Sequence, residues 1–415
     1  MRYRINEQLA LTCMPKRGPE GPLAAHLQSF AQVLSELGYT RRYLCQHLML
    51  VARFSHWLGQ RHVPSHLISN EHVARYLRYR HRDRAAVRAD SAIFDQLMAF
   101  LRTNRLIPQP PLIKPQLSPA ESYAHTYARY LREDRGLAKV TIISYVPFIT
   151  DFLKERFGSG SIKLSSLSAK DVVQFVQSRA RRLHVKRAKL MTTALRSFFQ
   201  YVRMRGQVLL DLAAAVPVVA NWSMTSIPRA IAPEQTQKLL TSIDQKTAMG
   251  KRNYAILLLL ARLGMRAGEV ASLKLDDIDW DAGRLRVCGK GGRPNELPLP
   301  AEVGGAIAQY LQNGRPRCAD RHVFLRTKAP VRAFHGSTAV GLIVKCCLKR
   351  AHISAPTHGA HQFRHGLASD MLREGASLAE IGAVLGHRNP DTTRIYTKID
   401  LKALRKLAQP WPRVQ

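Results

Sequence analysis

Residues 253–273 read NYAILLLLARLGMRAGEVASL, and this stretch decides the architecture of the last third of the chain. The apolar run 254–261 is of helix-core length and well short of the ~18 residues that span a bilayer. The helix it predicts ends near Gly264, Arg266 follows on the turn, and AGEVASL begins a second helix. Downstream, 279–298 reads as strands, RLRV and NELPLP, joined by the Gly-rich turn GKGG that carries Lys290. Helix, turn, helix and hairpin in that order predict a mixed α+β block over 230–415 with a small antiparallel β-sheet.

Upstream of this block the sequence is helical and divided by two proline-rich breaks. The first, 107–119, reads IPQPPLIKPQLSP and cannot continue a helix. The second, 216–233, is bounded by Pro217, Pro228 and Pro233. Three blocks follow, 1–107, 118–215 and 230–415, and the chain is long enough for each to own a core. The first two read as distant copies of one another. One carries RFSHWLGQR, LISNEHVARYLRYR and LMAFLRTN; the other carries FITDFLKER, LSSLSAKDVVQFVQSR and LRSFFQYVRMR. In each, an aromatic–Leu pair (Trp57–Leu58, Phe152–Leu153) closes a helix, and a serine (Ser69, Ser168) opens the next. The apolar residues Val73, Tyr76 and Leu77, or Val172, Phe175 and Val176, recur at helical spacing and belong to a core. Both blocks are expected to be small helical bundles with basic outer faces. The fold class is therefore mainly α: two helical N-terminal bundles followed by the α+β block with its small antiparallel β-sheet.

Composition narrows the partners. Lys and Arg number 64 against 29 Asp and Glu, a formal net charge of +35, and the excess recurs in every block. That is the electrostatic footprint of a protein that meets a polyanion, with nucleic acid first among candidates. No RRM or KH signature points to RNA. Cys13, Cys45, Cys288, Cys318, Cys346 and Cys347 show neither CxxC pairing nor zinc spacing, so reduced thiols in a cytoplasmic protein are expected. No signal peptide and no membrane span are evident.

The chemistry-bearing residues of the third block are Arg266, Lys290, His361, Arg364, His387 and Tyr396. His361 and Arg364 are i, i+3 neighbours that reach one point from a helix face. The set suits metal-free attack of a phenol on a phosphodiester. Negative charge growing on the phosphate oxygens needs fixed cations, and Arg266 and Arg364 offer guanidinium forks, helped by an N–H of His387. Tyr396 can form the covalent intermediate. Its ordinary pKa of ~10 calls for nearby positive charge and a proton acceptor, the role expected of His361. The departing oxygen needs a proton, and Lys290 on its hairpin is the donor expected. Glu269 is read as orienting Arg266. GKGG is not a P-loop, since neither GxxxxGK[ST] nor a following helix is present. The His361/His365 pair at i, i+4 lacks the glutamate of a metalloprotease box, Gln362 standing in its place, so no metal and no cofactor are expected.

In order and spacing, the segments ARLGMRAGEVASL, VCGKGGRPNELPL, HQFRHGLAS and LGHRNPDTTRIYT resemble the tyrosine recombinase (phage integrase) family over roughly 230–400. The resemblance implies cleavage by Tyr396, a 3′-phosphotyrosyl link, a free 5′-hydroxyl and resealing without ATP. It matches Arg266 to the first family arginine, Lys290 to the hairpin lysine, His361 and Arg364 to the HxxR box, His387 to the LGH box and Tyr396 to the nucleophile. The 118–215 block resembles the family's core-binding SAM-like domain, with the 1–107 block a divergent copy. The implied function is a site-specific DNA recombinase or integrase of a mobile element, acting on double-stranded DNA as a homo-oligomer, a tetramer on two duplexes, with accessory or sister recombinases as further partners. A topoisomerase IB-like strand transferase and a catalytically silent DNA-binding regulator are the alternatives. The helical N-terminal blocks and the catalytic block are expected to clamp opposite faces of the duplex, and a short helix at 401–407 to dock on a neighbouring subunit.

Overall fold

The computed structural model describes residues 20–81, 88–109, 117–219, 229–289, 294–387 and 389–399. Lys290 and the 401–407 segment lie outside the described residues.

Among the described residues, the first block contains four α-helices, α1 (Leu27–Glu36), α2 (Arg41–Gly59), α3 (Asn70–His81) and α4 (Arg88–Thr103). Helix α2 buries Leu44, Leu48, Val51, Phe54 and Leu58, the three-and-four spacing that turns one stripe of a helix inward. Phe54 is the hub, with ring centroids 5.0 Å from Phe94 and 5.1 Å from Tyr76. Such tilted and edge-on aromatic pairs contribute about 0.5–1.5 kcal/mol beyond their buried area. The Trp57–Leu58 pair is in the core, as its position in the sequence suggests.

The second block repeats the plan with α5 (Pro119–Glu133), α6 (Lys139–Phe157), α7 (Ala169–Ala180) and α8 (Val185–Met204). Ser118 with Glu121, and Ser168 with Asp171, form capping boxes that satisfy the free N–H groups opening α5 and α7. Phe152 sits edge-on to both Phe175 and Phe199 inside a separate core. Residues 112–226 form one compact unit, whereas Met1–Pro111 and Ile227–Gln415 group together as another. Within that second unit, the Val331 N–H donates to the Leu37 carbonyl at 2.8 Å.

The third block is built on α10 (Ala248–Arg262), which follows the short α9 (Pro233–Thr241). Residues 255–260 are all fully buried, so α10 is wrapped on every side, as a helix apolar all round must be. It packs against α12 (Ala301–Asn313) and α14 (His361–Arg373). Helix α11 (Ala267–Ser272) leads into a three-stranded antiparallel sheet, β1 (Ile278–Asp279), β2 (Arg284–Cys288) and β3 (Pro294–Pro298), in sequential order. The register runs from Arg284 opposite Pro298 to Cys288 opposite Pro294. Helices α13 (Ser337–Arg350), α15 (Leu378–Leu385) and α16 (Pro390–Thr393) and a 3₁₀ segment, Arg394–Ile399, complete the block.

One expectation needs correction. Cys45 is disulfide-bonded, so the cysteines are not uniformly reduced, although Cys288, Cys318, Cys346 and Cys347 are free. Pairing through space leaves no signature in spacing along the chain, which is why the sequence did not disclose it. Among the described residues no helix is long and apolar enough to cross a membrane.

Candidate active site

Each functional side chain is placed by a helix end. Gly264, at φ +60°, lets the chain leave α10 in the left-handed region and turn back on itself. Arg266 then stands at the N-cap of α11. Its backbone N–H and its Nη1 both donate to the Glu269 carboxylate, at 2.8 and 2.7 Å. Glu269 is nine-tenths buried while Arg266 keeps part of its side chain exposed, so the carboxylate anchors a guanidinium that still faces outward. The orienting role read for Glu269 is the geometry observed.

Arg364 lies one turn into α14 and is 5% exposed. Nη1 donates to the Gly264 carbonyl at 2.7 Å, and Nη2 donates to the Leu385 carbonyl. Both acceptors are carbonyls left open at helix C-terminal ends, where the helix dipole places partial negative charge. Burial first, and the neighbouring Arg266 second, push the Arg364 pKa down to about 10. Arg266 and Arg364 line one small cavity with Glu269, Asn295, Gly386 and Gly289. Gly289, which precedes Lys290 in the chain, stands at the edge of the arginine pair.

His387 follows the left-handed C-cap Gly386 of α15, and its Nδ1 lies 2.8 Å from the Thr393 hydroxyl. Desolvation, then Arg364, Arg266 and His365, push its pKa down to about 4. The ring is therefore neutral at pH 7. It can still donate one N–H to an anion, as its expected role requires.

Tyr396, in the 3₁₀ segment, is 1% exposed and packs with Ala368, Ile381 and Leu385. Its hydroxyl lies 2.9 Å from Nδ1 of His365, and the two ring centroids are 5.8 Å apart. Burial pushes the phenol pKa up to about 12, with Arg364 pulling the other way. His361, the residue read as proton acceptor, is exposed at the start of α14. Its ring centroid is 6.1 Å from that of His365. Desolvation, then Arg364 and Arg266, lower its pKa.

The structure thus brings Arg266 and Arg364 to one cavity, sets His361 and His387 within electrostatic reach of both arginines, and buries Tyr396 against His365, with Lys290 outside the described residues. Sequence reasoning missed two contacts: His365 on Tyr396, and Thr393 on His387. The i, i+4 spacing of His361 and His365 puts His365 on the same helix face, as a packed or phosphate-adjacent residue, but nothing in it points to Tyr396. No group of His, Cys, Asp and Glu among the described residues is arranged to hold a metal.

Comparison with known proteins identifies the family. The Phage integrase family model matches residues 229–402, and the model described as Phage integrase, N-terminal SAM-like domain, matches residues 124–206. The putative integrase/recombinase y4rA of Sinorhizobium fredii is 52% identical over 412 residues, covering 99% of each chain. Tyrosine recombinase XerC of Bacillus pumilus is 29% identical, covering 68% of this chain and 93% of its own. Among solved structures, the XerH site-specific recombinase bound to palindromic difH substrate aligns with a TM-score of 0.57 at 20% identity. That alignment covers 81% of this chain and 93% of XerH and shows a shared fold.

Proposed function

The chain belongs to the phage integrase family of tyrosine recombinases, and from that premise we propose that it cuts and rejoins double-stranded DNA at specific sites through Tyr396. The observation that carries this reading is the pairing of Arg266 and Arg364 on one cavity, with His387 in electrostatic reach of both arginines and Tyr396 in reach of Arg364.

The mechanism follows from what each group can do. Arg266 and Arg364 hold the two non-bridging oxygens of a scissile phosphate, and the neutral His387 donates its N–H to the same charge. Fixed donors in a partly desolvated cleft need no reorganisation as charge grows on the phosphorane. The Tyr396 oxygen attacks phosphorus and the bond to the 5′-oxygen breaks, leaving a 3′-phosphotyrosine and a 5′-hydroxyl. The phenolic proton passes to an imidazole of the His361/His365 pair, and Lys290 protonates the leaving oxygen. Because the phosphotyrosine retains the energy of the broken ester, a hydroxyl from another strand reseals it without ATP. No step needs a metal or an organic cofactor.

The reaction joins two duplexes, so the working particle is proposed to be a tetramer of this chain, with accessory or sister recombinases as further partners. The relatives named integrase or recombinase favour strand exchange over a silent regulator or a topoisomerase IB-like activity. The compartment proposed is the cytoplasm, on the strength of the DNA substrate alone, since Cys45 removes the cysteine argument.

The test is trapping on a nicked duplex drawn from a pool of sequences selected by binding, in EDTA. A covalent protein–DNA adduct is expected with the wild type and is absent with Tyr396→Phe. Tight binding to that duplex with no adduct overturns the reading, and an adduct that vanishes with EDTA overturns the metal-free mechanism.

A further inference from the structure

We propose that the first bundle carries, between α2 and α3, a binding site for an unpaired nucleotide, an aromatic base with its phosphate. The site goes beyond strand cleavage and does not depend on it, so either reading can fail alone.

Arg53, His56 and Trp57 of α2 and Tyr76, Tyr79 and Arg80 of α3 line one open cavity of about 320 Å³. Each trio has the i, i+3, i+4 spacing that sets three side chains on one helix face. Burial separates the aromatic residues. Tyr76 is 4% exposed and stands edge-on to Trp57, with ring centroids 5.6 Å apart, whereas Tyr79 is 56% exposed. The core therefore accounts for Tyr76 and leaves the Tyr79 ring open at the cavity. Trp57 is 6% exposed, and the Arg61 guanidinium lies 4.0 Å from its ring centroid. The Trp57 Nε1 N–H is buried with no acceptor among the described residues. Unmet buried donors are uncommon and call for a partner; a base carbonyl or ring nitrogen entering the cavity is an acceptor of the right kind.

The charged groups around the cavity are not equivalent. Glu20 is engaged by His56, Oε2 to Nδ1 at 3.0 Å, and His56 Nε2 meets the Gln60 amide at 2.9 Å. Asp90 is engaged by Arg80 at 3.4 Å. Arg53 is exposed and has no carboxylate partner among the described residues. One uncompensated guanidinium thus stands beside one open phenol ring. The first holds a phosphate through paired N–H donors, and the second is a platform on which a base stacks. A base inside a duplex has both faces covered by its neighbours, so the occupant is an unpaired nucleotide. The volume agrees, since cavities that take small ligands run from about 300 to 1,000 Å³, too small for a duplex. A nicked strand that leaves its complement presents such nucleotides.

The test is photo-crosslinking of the full chain to a single strand of about six nucleotides that carries iodouracil, with the joined peptide mapped by mass spectrometry. Anisotropy measures affinity for the same strand and for its duplex. A crosslink on Tyr79 or Trp57 is expected. Tyr79→Ala is expected to abolish the crosslink at this site and weaken single-strand binding by about 10-fold, with duplex affinity and thermal melting unchanged. Tyr79→Phe keeps the ring and is expected to bind as the wild type. Arg53→Ala is expected to lower the salt slope of single-strand binding by about 0.7. Competition by a nucleoside monophosphate separates the sources of the ligand: loss of the crosslink shows that a free nucleotide suffices, and its persistence shows that the strand is required. A crosslink confined to other parts of the chain, or a Tyr79→Ala variant that loses nothing or loses equally on single strand and duplex, means adherence to the basic surface only and overturns the proposal. Covalent adduct formation by the wild type alongside that result leaves the recombinase reading intact.

Discussion

Arg364 Nη1 donates a hydrogen bond of 2.7 Å to the carbonyl of Gly264, a residue 100 positions earlier in the chain. That bond ties the end of α10 to the start of α14 and brings the two arginines into one cleft. Gly264 is at φ +60°, and a Cβ there would stand 2.9 Å from Leu385 Cδ2 and 3.0 Å from Leu367 Cδ2. Gly264→Ala is therefore expected to lose about 1–3 kcal/mol from backbone strain and crowding. Gly268→Ala serves as the control, because it lies inside α11 with nothing within 4 Å of its added methyl. Urea denaturation should show the first destabilised and the second unchanged or slightly stabilised.

Arg266 depends on Glu269 for its position, through contacts at 2.8 and 2.7 Å. Glu269→Ala removes a charge-assisted pair worth about 1.5–3 kcal/mol. A fall of about 10- to 100-fold in adduct formation is expected, with a smaller fall for Glu269→Gln, which keeps one acceptor. Equal activity in all three proteins would show that the phosphate alone orients Arg266.

The sequence discloses its chemistry through turns and helix ends. Gly264 before Arg266, Gly386 before His387 and Ser168 before α7 each mark a helix boundary, and the residues beside them could be located without coordinates. The hairpin and the amphipathic stripe of α2 were legible for the same reason: local periodicity writes them. Three features were not legible. The Arg364 bonds to Gly264 and Leu385 end on backbone carbonyls, which have no letter in the sequence. The approach of His365 to Tyr396 depends on how the 3₁₀ segment packs against α14, a contact 31 residues apart. The Val331 to Leu37 bond, which joins the first bundle to the third block, is a main-chain contact nearly 300 positions long and follows no pattern.

The imidazoles of the cleft make stability fall with acid. His387 titrates near pH 4 in the fold against 6.5 as its ordinary value, and His361 and His365 are lowered as well. A histidine with a depressed folded pKa binds more protons when unfolded, so its contribution is complete above 6.5 and is lost as pH falls from 6.5 towards 4. Asp320, lowered to about 2 from 3.8, loses its contribution in a separate, lower window. Thermal melts of the full chain should decline between pH 6.5 and 4, and His387→Gln should flatten that decline. A melting temperature constant across this window would contradict the assignment.

A net charge of +35 implies that counterion release dominates binding. With about 6–10 phosphates neutralised, affinity for a duplex is expected to fall by about 10³- to 10⁵-fold between 50 and 200 mM salt. Fluorescence anisotropy across that range gives the slope directly. A slope near zero would place the basic excess away from the DNA path.

The most direct test is to identify the atom that joins protein to DNA. The adduct formed on a nicked duplex would be digested with nuclease and protease and the peptides sequenced by mass spectrometry. A nucleotide 3′-phosphate carried on Tyr396, in the peptide between Arg394 and Lys398, is the result expected. The same mass on any other residue would contradict the site described here.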